Sequence, residues 1–121
     1  SAIFYDPARV AIMPMGFCYP GRDKGGGDSP PRPECAPLWH GPIRALLPNI
    51  ELTLLIGGYA QAYYLKSHKS VTETVRAWRE RLPDTLPLPH PSWRTKSWAK
   101  RNPWFEAEVV PELKTRVKAL L

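Results

Sequence analysis

The chain has 121 residues, which allows one hydrophobic core but not two. Its net charge of +6 is compatible with simple solubility but also favours a polyanionic partner over an acidic substrate. The sequence contains neither an apolar stretch of about 18 residues nor a basic segment followed by an apolar core, so we expect no membrane span, no signal peptide and a cytoplasmic location.

The first part of the chain predicts a strand, a long loop and a helix. Residues 9–17 (RVAIMPMGF) form an apolar run typical of a strand that is buried on both faces. Residues 19–33 hold most of the glycine and proline and predict a long surface loop. Helical spacing of apolar residues then covers residues 34–47, with a kink expected at Gly41 and Pro42.

The second part of the chain predicts strands that alternate with helices. This alternation favours an α/β fold, a three-layer α/β/α sandwich around a short parallel sheet. Ser70 and Glu73 form a capping box at the start of one of the helices. In chain order the predicted elements are a strand over 50–56, helices over 59–66 and 71–82, a strand over 86–89, and helices over 92–101 and 104–121.

The strongest candidate for chemistry is His90, in the segment 86–94 (LPLPHPSWR). Prolines on both sides restrict the neighbouring backbone and remove amide donors, so the loop can hold the imidazole at a fixed point. A lone histidine is more often a core or capping residue that bonds to the backbone. The two prolines and the continuation through Ser92, Trp93 and Arg94 favour a functional role instead.

The run His-Pro-Ser-Trp-Arg resembles the second active-site motif of the uracil-DNA glycosylase superfamily. In the single-strand-selective monofunctional branch this loop reads His-Pro-Ser-Pro-Arg-Asn, so Trp93 and Thr95 depart from it. The resemblance covers essentially the whole chain, but nothing matches the Gly-Gln-x-Pro-Gly-like loop that carries the family's water-activating residue. We therefore expect residues 1–121 to be a single, N-terminally incomplete domain, in which the strand at 9–17 lacks its hydrogen-bonding neighbour.

The resemblance implies a DNA-repair enzyme that flips uracil or another damaged pyrimidine out of DNA and hydrolyses its N-glycosidic bond. His90 would be catalytic, donating a hydrogen bond to pyrimidine O2 as the bond breaks. Ser92 would contact a DNA phosphate, cap the helix that starts at Trp93, or do both. Trp93 and Arg94 would form the wedge that fills the gap left by the base, although core packing is equally open for Trp93. Lys96 belongs to the basic residues that would meet DNA.

By the same resemblance, Pro14, Met15, Gly16 and Phe17 would line the base pocket. Pro14 stands where many relatives place the asparagine that reads the edge of uracil. Proline has no side-chain amide, so backbone groups of residues 15–17 would have to replace that contact. Asp28 is a further candidate, although it is also an ordinary turn residue.

Cys18 and Cys35, with sixteen residues between them, resemble the third and fourth cysteines of the iron-sulfur type of uracil-DNA glycosylase. Four thiolates are the usual requirement, so these two imply a 4Fe-4S cluster only together with an N-terminal pair that this sequence lacks. Two small buried thiols are the alternative. The hydrolysis itself needs no cofactor.

A second interpretation is a non-catalytic nucleic-acid-binding module or an inactive fragment, which the missing asparagine favours. In both cases the partner is single- or double-stranded DNA, not a membrane. The sequence carries no zinc-deaminase signature, P-loop or dinucleotide fingerprint, so we expect no nucleotide cofactor. Without the water-activating loop, we expect little or no activity from the 121 residues alone.

Overall fold

The computed structural model describes residues 6–16, 21 and 30–121, with the side chain of Trp93 left out. The chain divides into two compact units, Ser1–Asn49 and Ile50–Leu121. Within the described ranges, none of the helices combines the length and the apolar character that a membrane crossing requires.

The first unit contains one helix among its described residues, α1 (Cys35–Ala45). The helix predicted over 34–47 is thereby confirmed. Cys35, Ala36 and His40 are its buried residues. The helix continues through Pro42, where proline cannot supply the amide donor of an ordinary helical residue.

The predicted strand over 9–17 is wrong for its described part, residues 9–16, which contains no strand. Asp6 starts a turn here instead, because its backbone carbonyl accepts a hydrogen bond from the Val10 amide at 2.9 Å. Ile12, in the middle of the run, is 65% exposed. Apolar composition predicts burial, but it does not supply the neighbouring strand that backbone amides need before a run becomes part of a sheet.

Two parallel strands, β1 (Thr53–Ile56) and β2 (Thr85–Leu88), form the sheet of the second unit in the part of the chain described. Their register places Thr53 opposite Thr85. β1 is shorter than the predicted segment 50–56, whereas β2 has the length of the predicted segment 86–89 but begins and ends one residue earlier. The α/β class with a short parallel sheet, which the sequence predicts, is confirmed.

Pro87 lies inside β2, although proline cannot donate to a strand ladder. The Thr53 amide donates to the Asp84 carbonyl at 2.7 Å, and the Gly57 amide donates to the Leu88 carbonyl at 3.0 Å. Because successive residues of a strand face opposite edges, these two bonds place the Pro87 nitrogen on the edge of β2 that faces away from β1. Its missing proton therefore leaves the pairing of the two strands intact.

Short helical segments connect and follow the strands. The helix predicted over 71–82 is two segments that meet at Ala77, and the helix predicted over 104–121 begins with a π-helical stretch. Of the predicted capping box, the Ser70 cap is confirmed, since the Glu73 amide donates to Ser70 Oγ at 3.2 Å; the Glu73 carboxylate accepts from the Ser70 hydroxyl at 3.3 Å. The segments are α2 (Gly58–Leu65), α3 (Val71–Arg76), a 3₁₀ turn (Trp78–Arg81), α4 (Trp93–Arg101), the π-helical stretch (Phe105–Val109) and α5 (Val110–Leu120).

The core of the second unit packs around β2. Leu86 and Val109 are fully buried, and Trp78 and Leu88 complete the buried cluster. Partly buried residues surround this cluster: Leu52, Leu82, Trp104, Phe105 and Leu113. Because β2 is fixed in this core, the loop that leaves its carboxyl end starts from a rigid base.

Candidate functional site

His90 lies in the loop that follows β2, two residues beyond the buried Leu88. The residue is exposed, and its side chain rests on the turn that follows β1. A Cβ atom built on Gly57 would lie 3.6 Å from His90 Cβ and 3.7 Å from His90 Cδ2. The backbone of Gly57 therefore lies against one side of the His90 side chain, and the imidazole is accessible to a bound molecule.

Thr95, in the first turn of α4, ties the His90 loop to that helix. Its Oγ1 donates to the His90 carbonyl at 2.5 Å and accepts a hydrogen bond from the Ser92 amide at 3.3 Å. Ser92 takes the N-cap position, as the sequence predicts. The role of Thr95 was not predicted, because in the motif it counted only as a departure.

A cleft of about 230 Å³ opens beside His90. It lies between the start of α3, the His90 loop and one face of α4. The lining residues are Val71, Thr72, Pro89, His90, Arg94, Thr95 and Trp98. The cleft is shallow and open, which suits contact with a polymer better than enclosure of a free small ligand.

Trp98 forms the wall of this cleft and was missed in the sequence. Its indole Nε1 donates to Thr72 Oγ1 at 2.8 Å, which joins α4 to α3. Its ring also meets Trp104 and Phe105 edge to face, with centroids 5.8 and 5.2 Å away. The only signal in the sequence was its spacing four residues after Arg94, which puts both residues on one face of a helix.

The exposed side of α4 is strongly cationic. Arg94, Lys96, Lys100 and Arg101 are all exposed, and the helix sequence WRTKSWAKR contains no acidic residue. Arg94 shares the cleft with His90, whereas Lys96 lies on the same helix but not among the lining residues. The side chain of Trp93, the other half of the predicted wedge, lies outside the described part.

The predicted base-pocket segment is described in the first unit as Pro14, Met15 and Gly16, while Phe17 and Asp28 lie outside the described residues. The Pro14 carbonyl lies 2.8 Å from Nε2 of His40, a residue only 2% exposed. Since a carbonyl can only accept, Nε2 carries the proton and donates it. Sequence reasoning missed His40, because nothing in its helical context marks it.

The second predicted group of site residues is the cysteine pair. Cys35 is a buried free thiol at the first position of α1, and Cys18 lies outside the described part. Beside it, the hydrogen bond from Arg32 holds the pKa of the exposed Glu34 carboxyl below its usual range. In the described ranges no three His, Cys, Asp or Glu side chains come together as metal ligands. These residues do not supply the four thiolates of a 4Fe-4S cluster.

A family model described as the uracil DNA glycosylase superfamily matches residues 3–114, which is nearly the whole chain. The chain belongs to the uracil DNA glycosylase superfamily. The resemblance drawn from the His-Pro-Ser-Trp-Arg run is thereby confirmed. Members of this superfamily act on DNA, so the cationic α4 of this glycosylase relative lies next to the motif where a DNA contact is expected.

Proposed function

We propose that this glycosylase relative excises uracil, or another damaged pyrimidine, from DNA, with His90 as the catalytic residue. One observation carries the proposal. An exposed imidazole stands beyond the carboxyl end of a buried parallel strand, supported by Gly57 and tied to a cationic helix by Thr95. Membership of the superfamily supports the same role for the His90 loop.

The proposed reaction is hydrolysis of the bond between deoxyribose C1′ and the base nitrogen N1. That bond breaks and its electron pair passes to the base, so negative charge develops on the pyrimidine O2. Water oxygen then bonds to C1′, and the proton lost from the water balances the charge on the departing base. An N–H donor already positioned at O2 stabilises the transition state more than the ground state, which is the task we assign to His90.

We assign DNA binding to the start of α4. Ser92 and the amino end of the helix would contact a phosphate, because amides and the helix dipole favour an anion there. Arg94 and Trp93 would fill the gap left by the flipped base, and Lys96 would contact the phosphate backbone.

The proposal is tested in the complete gene product by replacing each of two exposed histidines. His90→Ala should lower single-turnover uracil release from a labelled single-stranded oligonucleotide by at least about 100-fold, because one charge-stabilising donor is lost. DNA affinity, measured by fluorescence anisotropy, should stay unchanged. The matched control His68→Ala removes an exposed imidazole from the loop before α3 and should release uracil at the wild-type rate. Equal rates for both variants would contradict the proposal.

The alternative function is a nucleic-acid-binding module without catalysis. Pro14 favours it, since the side-chain amide that reads uracil in many relatives is missing. The same experiment separates the two functions. A wild-type protein that binds the oligonucleotide but leaves the uracil in place is a binding module, and His90→Ala then changes nothing.

A further inference from the structure

Gln61 is a buried polar residue of α2 that no part of the motif accounts for. It is 3% exposed, and its side chain lies at the carboxyl ends of both strands. Its Nε2 donates to the Leu55 carbonyl of β1 at 3.1 Å and to the Leu88 carbonyl of β2 at 2.9 Å. One carboxamide therefore uses both of its protons to join the two strand ends.

The Leu88 carbonyl is the last backbone group of β2 before His90. It also accepts a hydrogen bond from the Gly57 amide at 3.0 Å, so it has a partner even without Gln61. Only Pro89, whose ring restricts φ, separates Leu88 from His90. A shift of the Leu88 carbonyl would therefore be passed along a stiff connection to the imidazole, which rests on Gly57 itself.

The carboxamide oxygen of Gln61 differs from the nitrogen. Gln61 Oε1 is buried and has no hydrogen-bond partner in the part of the chain that the structure describes. A buried carbonyl without a partner destabilises the fold, and an apolar side chain of the same length would avoid this. Stability alone therefore does not explain a glutamine at this position.

We propose that Gln61 is a positioning residue for His90. Its two donated hydrogen bonds fix the end of β2 against β1, and thereby the position of the His90 imidazole. The proposal rests on the function proposed above, in which His90 donates to the departing base. Displacement of a catalytic group by about 1 Å can slow an enzyme by about 100-fold.

Two substitutions, made in the complete gene product, keep the length of the side chain and remove its donors: Gln61→Met and Gln61→Glu. In Gln61→Met, kcat for uracil release should fall by about tenfold to 100-fold while KM stays unchanged. The imidazole signals of His90 in a ¹H–¹⁵N spectrum should also move. Gln61→Glu sets a carboxylate against two carbonyl oxygens and should lower kcat further. The matched control Thr74→Val removes another buried polar group, on α3, and should leave both kcat and the His90 signals unchanged.

The proposal is overturned if folded Gln61→Met has the wild-type kcat and unshifted His90 signals. If the complete gene product releases no uracil, the proposed function fails, and the His90 signals alone decide the role of Gln61. If both variants fail to fold, hydrogen exchange of the wild-type protein decides. The side-chain amide protons of Gln61, the single glutamine of this sequence, should then exchange much more slowly than those of the exposed Asn49. Equal exchange would overturn the proposal.

Discussion

Gly57 is the residue on which the geometry of the site most directly depends. Its φ of +88° and ψ of 171° lie in a region that is essentially restricted to glycine. This conformation turns β1 into α2 and brings backbone, rather than a side chain, under His90. The space around it is not the constraint, because a Cβ atom would meet His90 at ordinary contact distances of 3.6 and 3.7 Å.

Gly57→Ala should destabilise the protein by about 1–3 kcal/mol, the range expected for a residue forced into this backbone region. Urea unfolding measures the change. Gly41→Ala is the matched control, because Gly41 lies inside α1 with nothing within 4 Å of an added Cβ, and it should stabilise the helix by about 0.5–1 kcal/mol. Equal effects of the two substitutions would show that the turn accepts other residues.

The element that joins the His90 loop to the cationic face is α4. Its first turn is held by Thr95, whose hydroxyl bonds to the His90 carbonyl and to the Ser92 amide. Its far side is held by Trp98, which bonds to Thr72 at the start of α3. These contacts join the loop to the cationic helix, so a substitution at Thr95 should change the position of His90.

Thr95→Val removes the hydroxyl at constant shape and should destabilise the protein by about 1 kcal/mol, the usual net value of a hydrogen bond. The uracil-release rate should fall as well, because the carbonyl of His90 loses its tie to α4. Thr115→Val, an exposed position on α5, should change the unfolding free energy by less than about 0.5 kcal/mol and leave the rate unchanged. If Thr95→Val behaves like this control, the tie does not position the loop.

The elements also show which parts of the fold the sequence could predict. The parallel strands, α1 and the Ser70 cap were all correct, because each is marked by a local pattern. The single helix expected over 71–82 was wrong, since it ends at Arg76 and a 3₁₀ turn then brings Trp78 into the core at 5% exposure. The strand expected over 9–17 was wrong for residues 9–16, because a strand depends on a partner that its own residues do not specify.

Across the whole molecule, the charge of +6 predicts a salt-dependent contact with DNA. α4 alone carries four exposed basic residues and no acidic one. Each Lys or Arg that neutralises a phosphate releases counterions, so affinity falls with salt in proportion to the number of such contacts. The slope of that dependence therefore counts the basic residues that touch DNA.

Lys96→Ala should reduce the slope of log affinity against log salt concentration by about 0.7 on single-stranded DNA. Anisotropy titrations over a series of salt concentrations give the slope. Lys118→Ala, which removes an exposed lysine from α5, should leave it unchanged. A reduction of the same size at Lys118 would mean that the charge acts without a defined binding face.

The candidate site was only partly predictable, for a physical reason. His90, Ser92 and Arg94 follow one another along the chain, so a motif can reveal them. Gln61 and Thr95 donate hydrogen bonds to backbone carbonyls. Any glutamine or threonine in a helix has the same local sequence pattern, so the sequence does not mark these two. Such roles become visible only when segments distant in the sequence are brought together.

The most direct measurement is the release of free uracil from a single-stranded oligonucleotide under single-turnover conditions. The complete gene product should release the base and leave an alkali-sensitive abasic site, and His90→Ala should not. An oligonucleotide that is bound by the complete gene product but keeps its uracil would contradict the assignment of His90 to catalysis, and the binding-module function would replace it.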